Sequence, residues 1–348
     1  MMPEEWPIAA SAADGDEPAR LAGRGRLATV RRDFFLDPAK RLTEQERALM
    51  TAMLHCLVSD VADAVRAALP NGRLAANDEG DTALIGALSA SGLLDEPGLM
   101  TLLLRRADEE RIATAARARS GRREARVLQG LVSHDYGAVA AAAMALILGR
   151  GRRRDRFGQC LVSFDDLSPE SADSLVHAVA AGLRRELAAG RGSPIADFEL
   201  AEAAEQVLER RDEERGIDAL TAALVHFLND AGGLSDDLVL AAAYEGEVAF
   251  VAEVLARRAG IASNSAIDEL LSGDAPHVMA LLRMAGVSRE LGAGLLAGIG
   301  DLLGIADAGA AIAIFDGMTE EQAQAARSWL LTDPAYRFAL ERLGQGRG

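Results

Sequence analysis

Residues 131–150, LVSHDYGAVAAAAMALILGR, carry the reading that decides the fold. A polar turn holding Asp135 is followed by small and apolar residues at helical spacing, as in the second helix of a HEAT-like helical repeat. Similar wording returns at Tyr244–Ala259 (YEGEVAFVAEVLARRA) and at Asp274–Ala285 (DAPHVMALLRMA). Ala259-Gly260-Ile261 and Ala285-Gly286-Val287 each end one helix and precede another, 26 residues apart. Val248 and Val278 pair as equivalent helix positions at a spacing of 30. Such units fall short of the usual 40 or so residues of a HEAT repeat, so the helices must be short or irregular. The expected fold is all-α: HEAT-like stacked helix pairs, as an α-solenoid or a compact helical array. That architecture presents surface and seldom carries catalysis of its own.

Working outward, Thr43 with Glu46 three positions later forms a capping-box pattern. It opens a helix over 44–69 in which Leu49, Met53, Leu57, Val61 and Val65 fall one turn apart. Pro70-Asn71-Gly72 ends it. Further helices are expected near 82–91, 96–118, 124–133, 136–149, 168–189, 195–213, 217–229, 235–257, 264–272, 275–285, 288–302, 305–315, 319–331 and 334–343. Ser235, Ser288 and Thr319 read as N-caps. No run of β-branched residues alternates long enough for a strand. Three regions follow: a disordered lead-in at 1–29, with order beginning at the apolar anchor Asp33–Leu36; an N-terminal helical region at 30–156; and a C-terminal acidic helical-repeat region at 157–348.

Composition restricts the core. Apolar residues make up 49% of the 348 but aromatics only 4%, so Ala, Leu and Val must do the packing. Cys56 and Cys160 are too few for a disulfide framework and read as small buried residues. The amino terminus has acidic residues where a secretion signal needs basic ones. The stretch closest to a membrane span, Leu291–Phe315, is broken by Asp301 and Asp307. A cytoplasmic protein without a membrane span is expected. The 44–69 helix could also support a homodimer.

Charge is distributed unevenly. Residues 1–100 hold 10 basic and 16 acidic side chains, residues 101–156 hold 13 and 6, and residues 157–348 hold 14 and 31. The positive block lies in two runs, Arg117, Arg119, Arg122, Arg123 and Arg126, then Arg150, Arg152, Arg153, Arg154 and Arg156. Both bracket the 127–149 helix pair and could converge at one edge. That edge could be a solvated surface paired with the acidic C-terminal half. It could instead dock an acidic or phosphorylated protein, since guanidinium forks suit carboxylates and phosphates. Nucleic acid is disfavoured by the net charge of −16.

Catalytic patterns are lacking. The five histidines show no i, i+3 or i, i+4 pairing, so neither a metal nor another cofactor is expected. Gly292-Ala-Gly294 and Gly298-Ile-Gly300 have no preceding strand, and close helix packing explains them better than phosphate binding. Val132-Ser133-His134-Asp135 resembles the phosphoacceptor box of sensor kinases, though Tyr136-Gly137-Ala138 departs from that pattern.

Several phrases together resemble a known family: Asp33–Leu36 with Leu42–Met50, then RGRRRDRFG at Arg150–Gly158, Asp165-Asp166-Leu167, and LVHAVAAGLR at Leu175–Arg184. They are similar to an uncharacterised alphaproteobacterial family, well represented in sphingomonads and carried under a domain-of-unknown-function label. The resemblance would cover most of residues 33–343. It implies an all-helical, HEAT-like fold in a bacterial cytoplasm and supplies no catalytic residue. The expected role is a non-enzymatic scaffold or regulatory adaptor that binds a protein partner. The alternative is a signalling module that docks on a response regulator or accepts phosphate at His134.

Overall fold

The computed structural model describes residues 42–70, 78–121, 126–188 and 194–343. The expected lead-in at 1–29, the anchor at 33–36, and Arg122 and Arg123 lie outside them. The chain divides after Arg47 into a short leading unit, described only from residue 42, and a compact unit, 48–348.

Sixteen α-helices are present among the described residues, and no strand. They are α1 Glu44–Ala68, α2 Asp78–Ala90, α3 Pro97–Ser120, α4 Arg126–Leu131, α5 Gly137–Arg152, α6 Pro169–Ala188, α7 Pro194–Glu209 and α8 Ile217–Asp230. The rest are α9 Asp236–Tyr244, α10 Val248–Ala259, α11 Ser263–Leu270, α12 Ala275–Met284, α13 Arg289–Leu295, α14 Ala308–Gly317, α15 Glu320–Leu330 and α16 Pro334–Arg342. Local signals set many of the starts. Thr43 Oγ1 accepts from Glu46 N at 3.2 Å, while Glu46 Oε2 accepts from Thr43 N at 2.8 Å. Thr319 and Gln322 build the same reciprocal box, and Ser235 and Ser288 cap α9 and α13.

Unit 48–348 holds two apolar cores. The first gathers Met53, Leu57, Val61 and Val65 of α1 with α2, the first half of α3, α6 and α7. It therefore draws on both sides of residue 157. The second gathers the end of α3 (Ile112, Ala116), α4, α5 and α8 to α14, with Phe250 and Leu255 of α10 fully buried inside it. Aromatics contribute little; Phe157, Phe198, Tyr136, Tyr244 and Tyr336 are exposed. α1 is long and apolar enough to cross a membrane by length and composition, unlike the 291–315 stretch singled out from sequence, yet its apolar stripe is spent on the first core.

α3 serves both cores. Its N-cap, Glu96, accepts from Gly98 N and Leu99 N, and Ser171 Oγ of α6 donates to it at 2.8 Å. Further along, Arg105 reaches Asn264 and Asp268 of α11, and Arg111 reaches the Leu302 carbonyl.

Three expectations need correction. The helix expected over 235–257 is two helices, broken at Gly246, where φ is +76°. A Cβ there would lie 2.7 Å from Ala113 Cα, so the turn rests backbone against backbone on α3 and only glycine fits. The helix expected over 195–213 ends at Glu209; Asp212 then caps a 3-10 turn, Glu213–Arg215. Left-handed glycines recur at 232, 246, 260, 273 and 286, each closing one helix before the next. Their spacing is 14, 14, 13 and 13 residues, so a helix pair takes about 27. Gly260 and Gly286, expected to stand 26 residues apart at helix ends, both fall on this series. The pairing of Val248 with Val278 fails, because the first opens its helix and the second stands in its fourth position. The glycines at 294 and 298 do mark close packing: an added Cβ would lie 2.9 Å from Leu240 and 3.1 Å from Tyr244.

Candidate functional site

The arginines expected to form one edge are sorted by the fold into inward and outward sets. Arg117, Arg150, Arg153 and Arg154 turn inward and, with Arg106, line a cavity of about 110 Å³. Its walls come from α3, α5, the loop after α5, and the N-terminus of α10. Arg153 is the most enclosed of the four. It forks onto Asp166 at 2.7 and 2.9 Å and donates to the carbonyls of Gly149 and Arg215. Asp166, 1% exposed, also accepts from Ser163 N and Ile217 N. Arg154 and Arg117 share Glu110, and Arg150 bonds Glu247 at 2.6 Å.

Arg106 sits deepest. Nη1 donates to both oxygens of Glu109 and Nη2 to Asp218 at 2.6 Å. Its Nε is buried without a partner. Burial pushes the Asp218 carboxyl up, but the Arg106 charge and hydrogen bond outweigh it and hold it below the usual range. Burial dominates at Glu109, which stays above that range despite Arg106. Glu110 is pushed up by burial but held low by Arg154 and Arg117. Burial, then the Glu110 charge, pushes the Cys160 thiol up to about 11, so it lines the cavity as a neutral group. Both cysteines are free and half-buried.

The outward arginines differ in kind. Arg119 pairs with Asp301, leaving Arg126, Arg152 and Arg156 exposed with no ion pair among the described residues. Arg152 ends α5, whose exposed face also carries Met144 (42%) and Leu148 (51%). Residues 144, 148 and 152 are one turn apart and share a face. The opposite face packs on α8; a Cβ on Gly149 would strike Leu220.

Beyond α5 a tight hairpin projects. Leu161 N donates to Arg153 O at 2.8 Å and Asp155 N to Gln159 O at 3.0 Å, giving an isolated bridge between Arg154 and Cys160. Asp155 Oδ1 accepts from Phe157 N and Gln159 N, both at 2.8 Å. Phe157 stands at the tip, 75% exposed, with the Arg156 guanidinium 4.7 Å from its ring centre. Sequence reasoning missed Met144, Leu148 and Phe157. A signal existed: residues 137–149 carry no charge on any face, more apolar surface than one core contact uses.

His134 lies in the turn between α4 and α5, half-buried, not on an exposed helix face. Its Nδ1 accepts from Tyr136 N at 3.1 Å, so that lone pair serves the turn.

Fold and surface together define an all-α helical protein with a charged cavity and an apolar outer face. Residues 86–328 match the family DUF2336, described as an uncharacterised protein conserved in bacteria. The chain belongs to that family. No curated protein and no solved structure matches the chain.

Proposed function

We propose that this protein is a non-enzymatic adaptor, working in the cytoplasm of alphaproteobacteria of the sphingomonad type, whose HEAT-like helix pairs hold a protein partner. The outer face of α5 carries the reading. Met144 and Leu148 form a solvent-facing apolar stripe that leads into Arg152, and the hairpin behind it presents Phe157 under Arg156. Single exposed apolar residues are ordinary, but apolar residues repeated one turn apart on an exposed helix face have the composition of an interface core. Arg152 and Arg156, which have no ion pair among the described residues, select acidic groups at its rim. The complementary partner is an amphipathic helix with an apolar stripe flanked by Asp or Glu.

A photo-crosslinking side chain at position 148 tests this in living cells. The expected result is one dominant adduct that a crosslinker at Leu331, also an exposed apolar residue, does not give. An adduct with a second copy of this chain would turn the face into a homodimer contact. Equal adducts from both positions would remove the α5 face from the account.

A further inference from the structure

We propose that the arginine-lined cavity is a binding site for a phosphate group, free or carried by a small molecule. The proposal stands apart from the docking face, which uses the outward side of α5. Five arginines and three glutamates line the cavity, so guanidinium groups outnumber carboxylates on its surface. Asp166 and Asp218, which neutralise Arg153 and Arg106, are not part of the lining. An anion inside therefore meets more guanidinium than carboxylate.

Donors remain unspent. Among the described residues Arg117 donates only through Nη2 and Arg150 only through Nη1, leaving their other N–H groups for a ligand. The N-terminus of α10 opens on the same space. Glu247 makes no side-chain cap there, so the first-turn N–H groups of Val248 and Ala249 are uncapped where both residues line the cavity. Helix amides and guanidinium forks together are the usual cradle of a phosphate. At about 110 Å³ the space takes a phosphate group. Arg117, Arg150 and Arg154, each about a third exposed, mark the mouth through which the remainder of a small molecule would project.

Titration of the full chain with inorganic phosphate, at ionic strength matched with chloride and followed by calorimetry and phosphorus NMR, tests the assignment. Saturable one-to-one binding is expected. Arg117→Gln should weaken it about tenfold or more, with folding intact because Glu110 keeps Arg154. Arg119→Gln removes the same charge from α3 outside the cavity and should leave binding unchanged. Arg150→Lys keeps a charge beside Glu247 but removes the fork, and should also weaken binding. Glycerol phosphate competing with inorganic phosphate would assign a phosphomonoester; inorganic phosphate binding alone would assign the free ion. No binding tighter than about 1 mM, or equal losses in Arg117→Gln and Arg119→Gln, would overturn the site.

Discussion

Arg152 and Arg153 are neighbours in sequence with opposite jobs. Arg153 forks onto an Asp166 carboxylate that is 1% exposed, whereas Arg152 reaches solvent with no ion pair among the described residues. Removing one partner of a buried pair leaves an uncompensated charge and costs about 3–5 kcal/mol. Arg153→Ala should therefore lower the denaturation midpoint sharply, and Arg152→Ala should stay within about 0.5 kcal/mol of wild type. Urea unfolding of the two variants checks this; equal midpoints would sink the distinction. A combined alanine replacement of Arg152, Arg153 and Arg154 would confuse docking with folding. The arginine runs were legible as two clusters of charge. Which members face inward was not, because the hairpin after α5 reverses the chain and no periodicity reports that reversal.

Helix starts were the most readable elements, since a cap is a local bargain between a side chain and amides three residues on. Thr43, Ser235, Ser288 and Thr319 all cap where expected. Breaks were harder. The sequence around Gly246 reads as tolerable helix, and the close approach of α3 that demands a bare Cα comes from over a hundred residues away. Gly286 has a similar φ, +62°, but open space around its Cα. Gly286→Ala should cost about 1–2 kcal/mol, the ordinary price of a left-handed alanine. Gly246→Ala should cost clearly more, because its Cβ meets backbone. Thermal unfolding of the two variants measures the difference; equal losses would show that the turn does not rest on α3.

At the scale of the molecule, α3 contributes apolar residues to both cores, and arginine and backbone donors hold carboxylates on it and against it in their ionised form. Glu96, Glu110 and Asp218 are all held below the usual carboxylate range. A depressed folded pKa adds stability that is complete above the unfolded value and is lost as pH falls through the folded one. These three should stabilise fully at neutral pH and lose that contribution below about pH 4. Glu110→Gln should lower neutral stability and flatten the acid limb of the stability curve; an unchanged limb would contradict the assignment. The helical class and stacking were legible because short amphipathic helices can bury their faces only on one another. The interleaving of residues 50–107 with 162–207 in one core was not, since nothing local records it. The uncharged run 137–149 signalled surplus apolar surface on α5, but not which residues face outward, since apolar residues look alike whether they face the core or solvent. The most direct measurement is quantitative capture from native cell lysate of the partner identified by crosslinking, with wild type beside Leu148→Glu. The expected result is a stoichiometric partner whose affinity falls tenfold or more, at least about 1.4 kcal/mol, in a variant that melts like wild type. Full retention of that partner by Leu148→Glu would contradict it.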